Sequence, residues 1–146
     1  MKFYKYDIVF KELPGHTALA FSVTGCPHGC EGCHSSHLAE DSGTELTPEL
    51  YDSILSKYKA HISSVLFLGG EWCYEDLSAL KSHTVPLKMA IYSGSDSVSR
   101  EIIELFDIVK IGGYNGKPLD NKETNQRYYV KDKNGIFEDK THLFWR

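Results

Sequence analysis

The sequence lacks several features that would point to membranes, secretion or nucleic acids. None of its apolar runs approaches the length that a membrane-spanning helix needs. Basic residues are not clustered, and 16 of them against 20 acidic residues give a formal charge of −4, so we expect no nucleic-acid partner. The first residues have no apolar core of the kind found in secretion signals. We therefore expect a cytoplasmic protein that binds neither membrane nor nucleic acid.

The sequence also lacks internal repeats, low-complexity tracts and linker-like segments. Its 146 residues suffice for one hydrophobic core. They are too few for a closed eight-stranded β/α barrel, which takes roughly 250 residues. The composition, with 41% hydrophobic and 25% charged residues, is that of a globular domain. We expect a single domain covering residues 1–146.

Cysteine is scarce, yet three of the four cysteines lie within eight residues. Cys26, Cys30 and Cys33 are spaced Cys-x-x-x-Cys-x-x-Cys. Thiolates this close together can bind one metal centre, but three of them cannot complete four-coordinate ligation. A 4Fe–4S cluster normally takes one thiolate per iron, so these cysteines would leave one iron open. An open coordination position is typical of catalytic rather than structural metal sites.

Two other interpretations of these cysteines are open at this point. A structural zinc site would need a fourth ligand, which His28, His34, His37 or Cys73 could provide. A disulfide is disfavoured, because no secretion signal precedes the cysteines and intracellular thiols stay reduced.

Hydrophobic patterning predicts strands and helices that alternate from about residue 16 to residue 131, which favours a parallel α/β fold. The predicted strands are 6–11, 16–24, 64–68, 87–92, 106–112 and 127–131. One helix begins at Thr47-Pro48 and runs to about residue 61, a second covers 74–82, and Asp96 or Ser97 caps a third. Asn134-Gly135 predicts a type I′ hairpin turn.

The cysteine loop resembles the cluster loop of the radical S-adenosylmethionine (SAM) enzymes. Further segments resemble the activating proteins of anaerobic (class III) ribonucleoside-triphosphate reductases. Gly69-Gly70-Glu71 follows a buried strand and is similar to the SAM-binding Gly-Gly-Glu/Asp motif of that family. Ser93-Gly94 resembles its aromatic–hydroxyl–Gly ending, and Thr124-Asn125-Gln126-Arg127 resembles its Ser/Thr-Asn-Gln-Arg motif.

This resemblance implies a fold and a set of cofactor contacts. The implied fold is a partial, open parallel β/α barrel with an N-terminal and a C-terminal hairpin. Cys26, Cys30 and Cys33 would hold the 4Fe–4S cluster, with SAM on the open iron and Cys73 not a ligand. Glu71 would accept a charge-assisted hydrogen bond from the methionyl ammonium. The implied SAM contacts are Gly32, Cys33, His34, Gly69, Gly70, Glu71, Ser93, Asn125 and Gln126.

The resemblance also implies an activity that needs no side-chain acid or base. Reductive cleavage of SAM would give a 5′-deoxyadenosyl radical, which generates a glycyl radical on the reductase. A flavodoxin or ferredoxin-type protein would donate the electron, and a homodimer is left open. The alternatives are a radical SAM enzyme acting on a small molecule, like 7-carboxy-7-deazaguanine synthase, and a non-enzymatic zinc or iron–sulfur module.

Overall fold

The structure, a computed structural model, describes residues 1–24, 43–94, 98–112 and 121–144. The strands in these ranges are β1 (Lys2–Val9), β2 (Ala18–Val23), β3 (Thr44–Glu45), β4 (Ser64–Leu68), β5 (Lys88–Tyr92), β6 (Ile108–Ile111), β7 (Arg127–Lys131) and β8 (Phe137–Asp139). The helices are α1 (Pro48–Tyr58), α2 (Tyr74–Thr84), α3 (Arg100–Leu105) and a 3₁₀ turn, Thr141–Phe144. Within these described ranges, no helix has both the length and the hydropathy needed to cross a membrane.

The strands form one mixed sheet in the order β3-β1-β2-β4-β5-β6-β7-β8. Strands β2, β4, β5 and β6 are parallel to one another. Antiparallel pairs flank them, with β1 beside β2 and β7 between β6 and β8. The fold of the described residues is therefore an open α/β sheet, and its assignment to the radical SAM barrel stays a prediction.

The two faces of the sheet are packed differently. All three α-helices lie on one face, where Phe21 and Phe67 stack with ring centroids 5.8 Å apart and Tyr51 of α1 lies 6.1 Å from Phe67. The other face carries Ala20, Leu66 and Ala90 on its central strands and is covered in part by Leu13 and Phe144, the latter edge-on to Tyr128 with ring centroids 4.9 Å apart. Burial on both faces explains why β2 has no polar alternation, as its apolar run predicts.

The predicted helix starts are confirmed at α1 and wrong at α3. Thr47 caps α1, its Oγ1 accepting a hydrogen bond from Leu50 N at 3.2 Å, with Pro48 in the first turn. In α3 the cap is Ser99, whose Oγ accepts from Ile102 N at 3.4 Å. The expected caps, Asp96 and Ser97, lie outside the described residues. The prediction failed because Ser99 is also a residue type that caps helices, and it is the one whose hydroxyl accepts the hydrogen bond in the first turn.

Two other details differ from the expectation. Strand β1 begins at Lys2 rather than near residue 6, since its first residues pair with β3 as well as β2. The β7–β8 hairpin is confirmed, but its turn is not type I′, which requires positive φ at both central residues. Gly135 has φ +80° and Asn134 does not have a positive φ. Asp132 favours the alternative turn, because its Oδ1 accepts from the N–H groups of Asn134 and Ile136 at 2.8 and 3.0 Å.

A buried hydroxyl pair between α1 and α2 yields a stability prediction. Tyr51 Oη lies 2.7 Å from Thr84 Oγ1, which donates to Leu80 O at 2.8 Å, so the Tyr51 hydroxyl is the donor of the pair. Tyr51→Phe should cost about 0.5–1.5 kcal/mol of unfolding free energy, the net value of one hydrogen bond. Thr84→Val should cost more, about 1–3 kcal/mol, because it leaves a buried O–H without its acceptor.

Anaerobic urea unfolding of both variants and of the double variant measures these costs. Adding Tyr51→Phe to Thr84→Val should recover part of the loss, since it removes the orphaned donor. Equal costs for the two single changes, or simple addition in the double variant, would contradict this hydrogen-bond assignment.

Candidate functional site

Four parallel strands end at the same edge of the sheet, which is called here the carboxyl edge. It comprises the residues that directly follow these strands: Thr24 after β2, Gly69 after β4, Ser93 after β5 and Gly112 after β6. Backbone hydrogen bonds tie the strand ends together, with Gly69 N donating to Tyr92 O and Ser93 N to Lys110 O, both at 2.8 Å. The structure therefore brings together segments that are far apart in the sequence.

The Gly69-Gly70-Glu71 turn has a backbone shape that requires glycine. Gly69 and Gly70 have φ of +94° and +101°, values that residues with a side chain rarely adopt. Cys73 N donates to Gly70 O at 2.8 Å, which closes the turn just before α2. Glu71 is thus held at the carboxyl edge, half-buried, with its Oε2 shielded from solvent. Its predicted contact with SAM stays a prediction.

The Asn125-Gln126 segment lies against the end of β6. A Cβ on Gly112, whose φ is +109°, would lie 2.8 Å from Asn125 O and 3.0 Å from Gln126 Cα, so only glycine permits this approach. The Gln126 side chain is buried, and its Nε2 donates to Gly112 O at 3.5 Å. Asn125 is exposed. Gln126 thus has a structural contact here, while Asn125 is the residue whose side chain is accessible to a ligand.

Ser93 is buried at the end of β5, with only 1% of its surface exposed. Any ligand that it contacts would have to reach this buried position. Its predicted role in SAM binding, like that of Asn125 and Gln126, stays a prediction. The other predicted site residues are Cys26, Cys30, Gly32, Cys33 and His34, and all of them lie outside the described residues, as do His28 and His37.

Sequence reasoning missed two residues, Thr24 at the carboxyl edge and Lys110 within β6. Thr24 is 4% exposed, and its Oγ1 has no hydrogen-bond partner among the described residues. Lys110 has its Nζ 4.6 Å from the centroid of the Tyr92 ring, a cation–π contact on the face of the sheet opposite the helices. A lysine in an otherwise apolar strand was the available signal for Lys110. No comparable signal marks Thr24, because its burial depends on residues distant in sequence.

Cys73 has an environment that disfavours its thiolate. Burial is the largest cause that raises the pKa of this thiol; the Met1 ammonium opposes the shift, and Asp76, Glu45 and Glu71 add to it. Because the thiolate is the form that ligates metals, a raised pKa makes Cys73 a poorer ligand at neutral pH. In the part of the chain that the structure describes, no group of three His, Cys, Asp or Glu residues could hold a metal ion.

A family model described as a 4Fe–4S single cluster domain matches residues 14–133. The match covers well over half of the chain. The chain belongs to this 4Fe–4S family. No curated protein and no solved structure matches it. Three thiols within eight residues are a donor set that suits such a cluster, so the residues fit the group that the family implies. Of the open interpretations, the family favours the iron–sulfur cluster over zinc or a disulfide.

The ligand set of this 4Fe–4S protein can be tested by comparing two cysteines. Cys73→Ala should leave the iron and sulfide content per chain unchanged after anaerobic reconstitution, because Cys73 is not expected to ligate the cluster. Cys33→Ala should lose most of the iron and the charge-transfer absorption, because it removes one of three ligands. Loss of iron from Cys73→Ala would instead make Cys73 a ligand and would close the open iron.

Proposed function

We propose that this iron–sulfur protein binds SAM at its 4Fe–4S cluster and generates a glycyl radical on an anaerobic ribonucleoside-triphosphate reductase. Cys26, Cys30 and Cys33 would hold the cluster. The proposal includes reductive cleavage of SAM with an electron from a flavodoxin or ferredoxin-type donor, and a cytoplasmic location. It rests on the order of motifs in the sequence together with the position of the Gly-Gly-Glu turn.

The observation that carries the proposal is the adjacency of β2 and β4. These strands are parallel neighbours, and Ser22 pairs with Leu68 near their carboxyl ends. Neighbouring strands lie about 4.8 Å apart. The chain leaves β2 at Thr24, two residues before Cys26, and leaves β4 at Gly69. The Gly69-Gly70-Glu71 turn therefore begins beside the residue that leads into the cysteine loop.

The residues of this turn suit the polar end of an amino-acid ligand. Gly69 and Gly70 hold the turn in a positive-φ conformation that other residues rarely adopt, and their missing side chains make room for Trp72 and Met1. Glu71 would accept a hydrogen bond from the methionyl ammonium, and Asn125 is accessible at the same edge. The cluster, when bound, supplies the open iron for SAM and the electron that cleaves it. The protein supplies the position of SAM and excludes water.

The open sheet supports a macromolecular substrate. In the described ranges the sheet ends at β3 on one side and at β8 on the other, without closing into a barrel. A closed barrel mouth would exclude a glycine in another protein's backbone, whereas an open one would admit it. This is the argument for the reductase over a small-molecule substrate.

The SAM chemistry predicts a specific defect in Glu71→Gln. With the reconstituted, reduced protein, SAM should be converted to methionine and 5′-deoxyadenosine. Glu71→Gln removes a charge-assisted hydrogen bond, so the SAM concentration for half-maximal cleavage should rise about 10- to 100-fold. Glu49→Gln, an exposed glutamate in the first turn of α1, is the matched control and should behave as wild type.

Absence of SAM cleavage, with no change in the cluster's EPR spectrum on adding SAM, would refute the radical SAM assignment. The iron–sulfur family would still stand, and a non-enzymatic cluster module would be the remaining interpretation.

The reductase can be tested as the target with the same preparation. Incubation with an anaerobic ribonucleoside-triphosphate reductase, SAM and reductant should produce the EPR doublet of a glycyl radical, which oxygen destroys. The control is the same mixture with Cys33→Ala protein, which should give no doublet. Cleavage of SAM without a doublet would contradict the reductase as the substrate. It would favour a small-molecule substrate, as in the 7-carboxy-7-deazaguanine synthase-like alternative.

A further inference from the structure

Two buried hydroxyl groups have no hydrogen-bond partner among the described residues, and they lie at opposite ends of the sheet. Ser64, fully buried, begins β4 at the amino edge. Thr24, 4% exposed, follows β2 at the carboxyl edge. A buried hydroxyl without a partner is unfavourable, so each of these groups calls for an explanation. Only Thr24 lies where a cofactor of the family is expected.

The backbone of Thr24 is held in place by the sheet. Its N–H donates to Lys2 O at 3.0 Å, which continues the pairing of β1 with β2 beyond Val23. This hydrogen bond fixes the backbone at Thr24, which lies two residues before Cys26 in the sequence. A hydroxyl is a donor as well as an acceptor, and the sulfur atoms of an iron–sulfur cluster accept hydrogen bonds.

We propose that the Thr24 hydroxyl donates a hydrogen bond to a sulfur atom of the 4Fe–4S cluster and thereby raises its reduction potential. The cluster gains negative charge on reduction, so a donor aimed at its sulfur stabilises the reduced state more than the oxidised one. In this role Thr24 adjusts the reduction potential of the cluster but does not ligate iron. The proposal rests on the iron–sulfur family and on Cys26 as a ligand, and it does not require SAM.

The test is a redox titration of the reconstituted cluster in the absence of SAM. Thr24→Val keeps the shape of the side chain and removes the hydroxyl, so its midpoint potential should be lower than that of wild type, with unchanged iron and sulfide content. Thr24→Ser keeps the hydroxyl and should retain the wild-type potential. Ser64→Ala removes the other buried hydroxyl without a described partner and should also leave the potential unchanged.

A wild-type potential in Thr24→Val would overturn the proposal and would assign the hydroxyl to another partner. Equal shifts in Thr24→Val and Ser64→Ala would also overturn it, since they would reflect general loosening of the sheet. If Thr24→Val fails to fold, Thr24→Ala replaces it, because a smaller side chain cannot overpack the site. Proton ENDOR of the reduced wild-type cluster is the second measurement, and absence of a strongly coupled exchangeable proton would overturn the proposal.

The outcome is separable from that of the proposed function. The potential is measured without SAM, so a protein that cleaves no SAM can still show the Thr24 effect. Conversely, SAM cleavage with an unchanged potential in Thr24→Val would leave the proposed function intact and remove only this role for Thr24.

Discussion

The parallel alignment of β2, β4, β5 and β6 is the constraint on which the rest of the structure depends. Each pair is joined residue by residue, as in Ser22 with Leu68 and Leu68 with Tyr92, so the ends of the strands are level with one another. A slip of one residue would turn each buried side chain to the opposite face. The ends of these strands are therefore as well defined as the core, and so is the Gly69-Gly70-Glu71 turn that follows β4.

The core explains why that alignment is stable. On the helix face, Phe21, Tyr51 and Phe67 form a group of rings with centroids 5.6–6.1 Å apart, which joins two neighbouring strands to α1. On the other face the central strands carry small residues such as Ala20 and Ala90. In β2 the aromatic side chain of Phe21 faces the helices and the small side chains of Ala18 and Ala20 face the other way, so the faces of this strand cannot exchange without leaving cavities or clashes.

Much of this fold could be predicted from the sequence because the relevant signals are local. The apolar run at residues 64–68 was predicted to be a strand and forms β4 with the same bounds. The helix predicted to begin at Thr47-Pro48 is α1. The cap of α3 was misjudged because Asp96, Ser97 and Ser99 are all residue types that cap helices, and in the structure Ser99 Oγ is the group that accepts from Ile102 N. The turn at Asn134-Gly135 was misjudged because Asp132 satisfies two turn N–H groups.

The candidate site was predictable only where it depends on short motifs. Glycines with positive φ in the Gly-Gly-Glu turn are visible in the sequence, since glycine is the residue that such a backbone needs. The contact of Gly112 with Asn125 is not visible, because the two are brought together by antiparallel pairing of β6 with β7. Burial of Thr24 is likewise a property of the assembled sheet. It could not be predicted from the sequence, where a threonine next to a cysteine loop gives no indication that its hydroxyl is buried.

The electrostatics around Cys73 bear on how a cluster with three cysteines would be completed. Burial raises the pKa of this thiol, and Asp76, Glu45 and Glu71 raise it further, against the opposing charge of the Met1 ammonium. The Met1 ammonium lies 2.9 Å from Asp76 Oδ2 and 3.0 Å from Glu45 Oε1, so these two carboxylates are already paired with a positive charge. Burial is therefore the main reason that the thiolate of Cys73 is disfavoured. A buried thiol is a poor metal ligand at neutral pH, which agrees with the expectation that Cys26, Cys30 and Cys33 hold a cluster without Cys73.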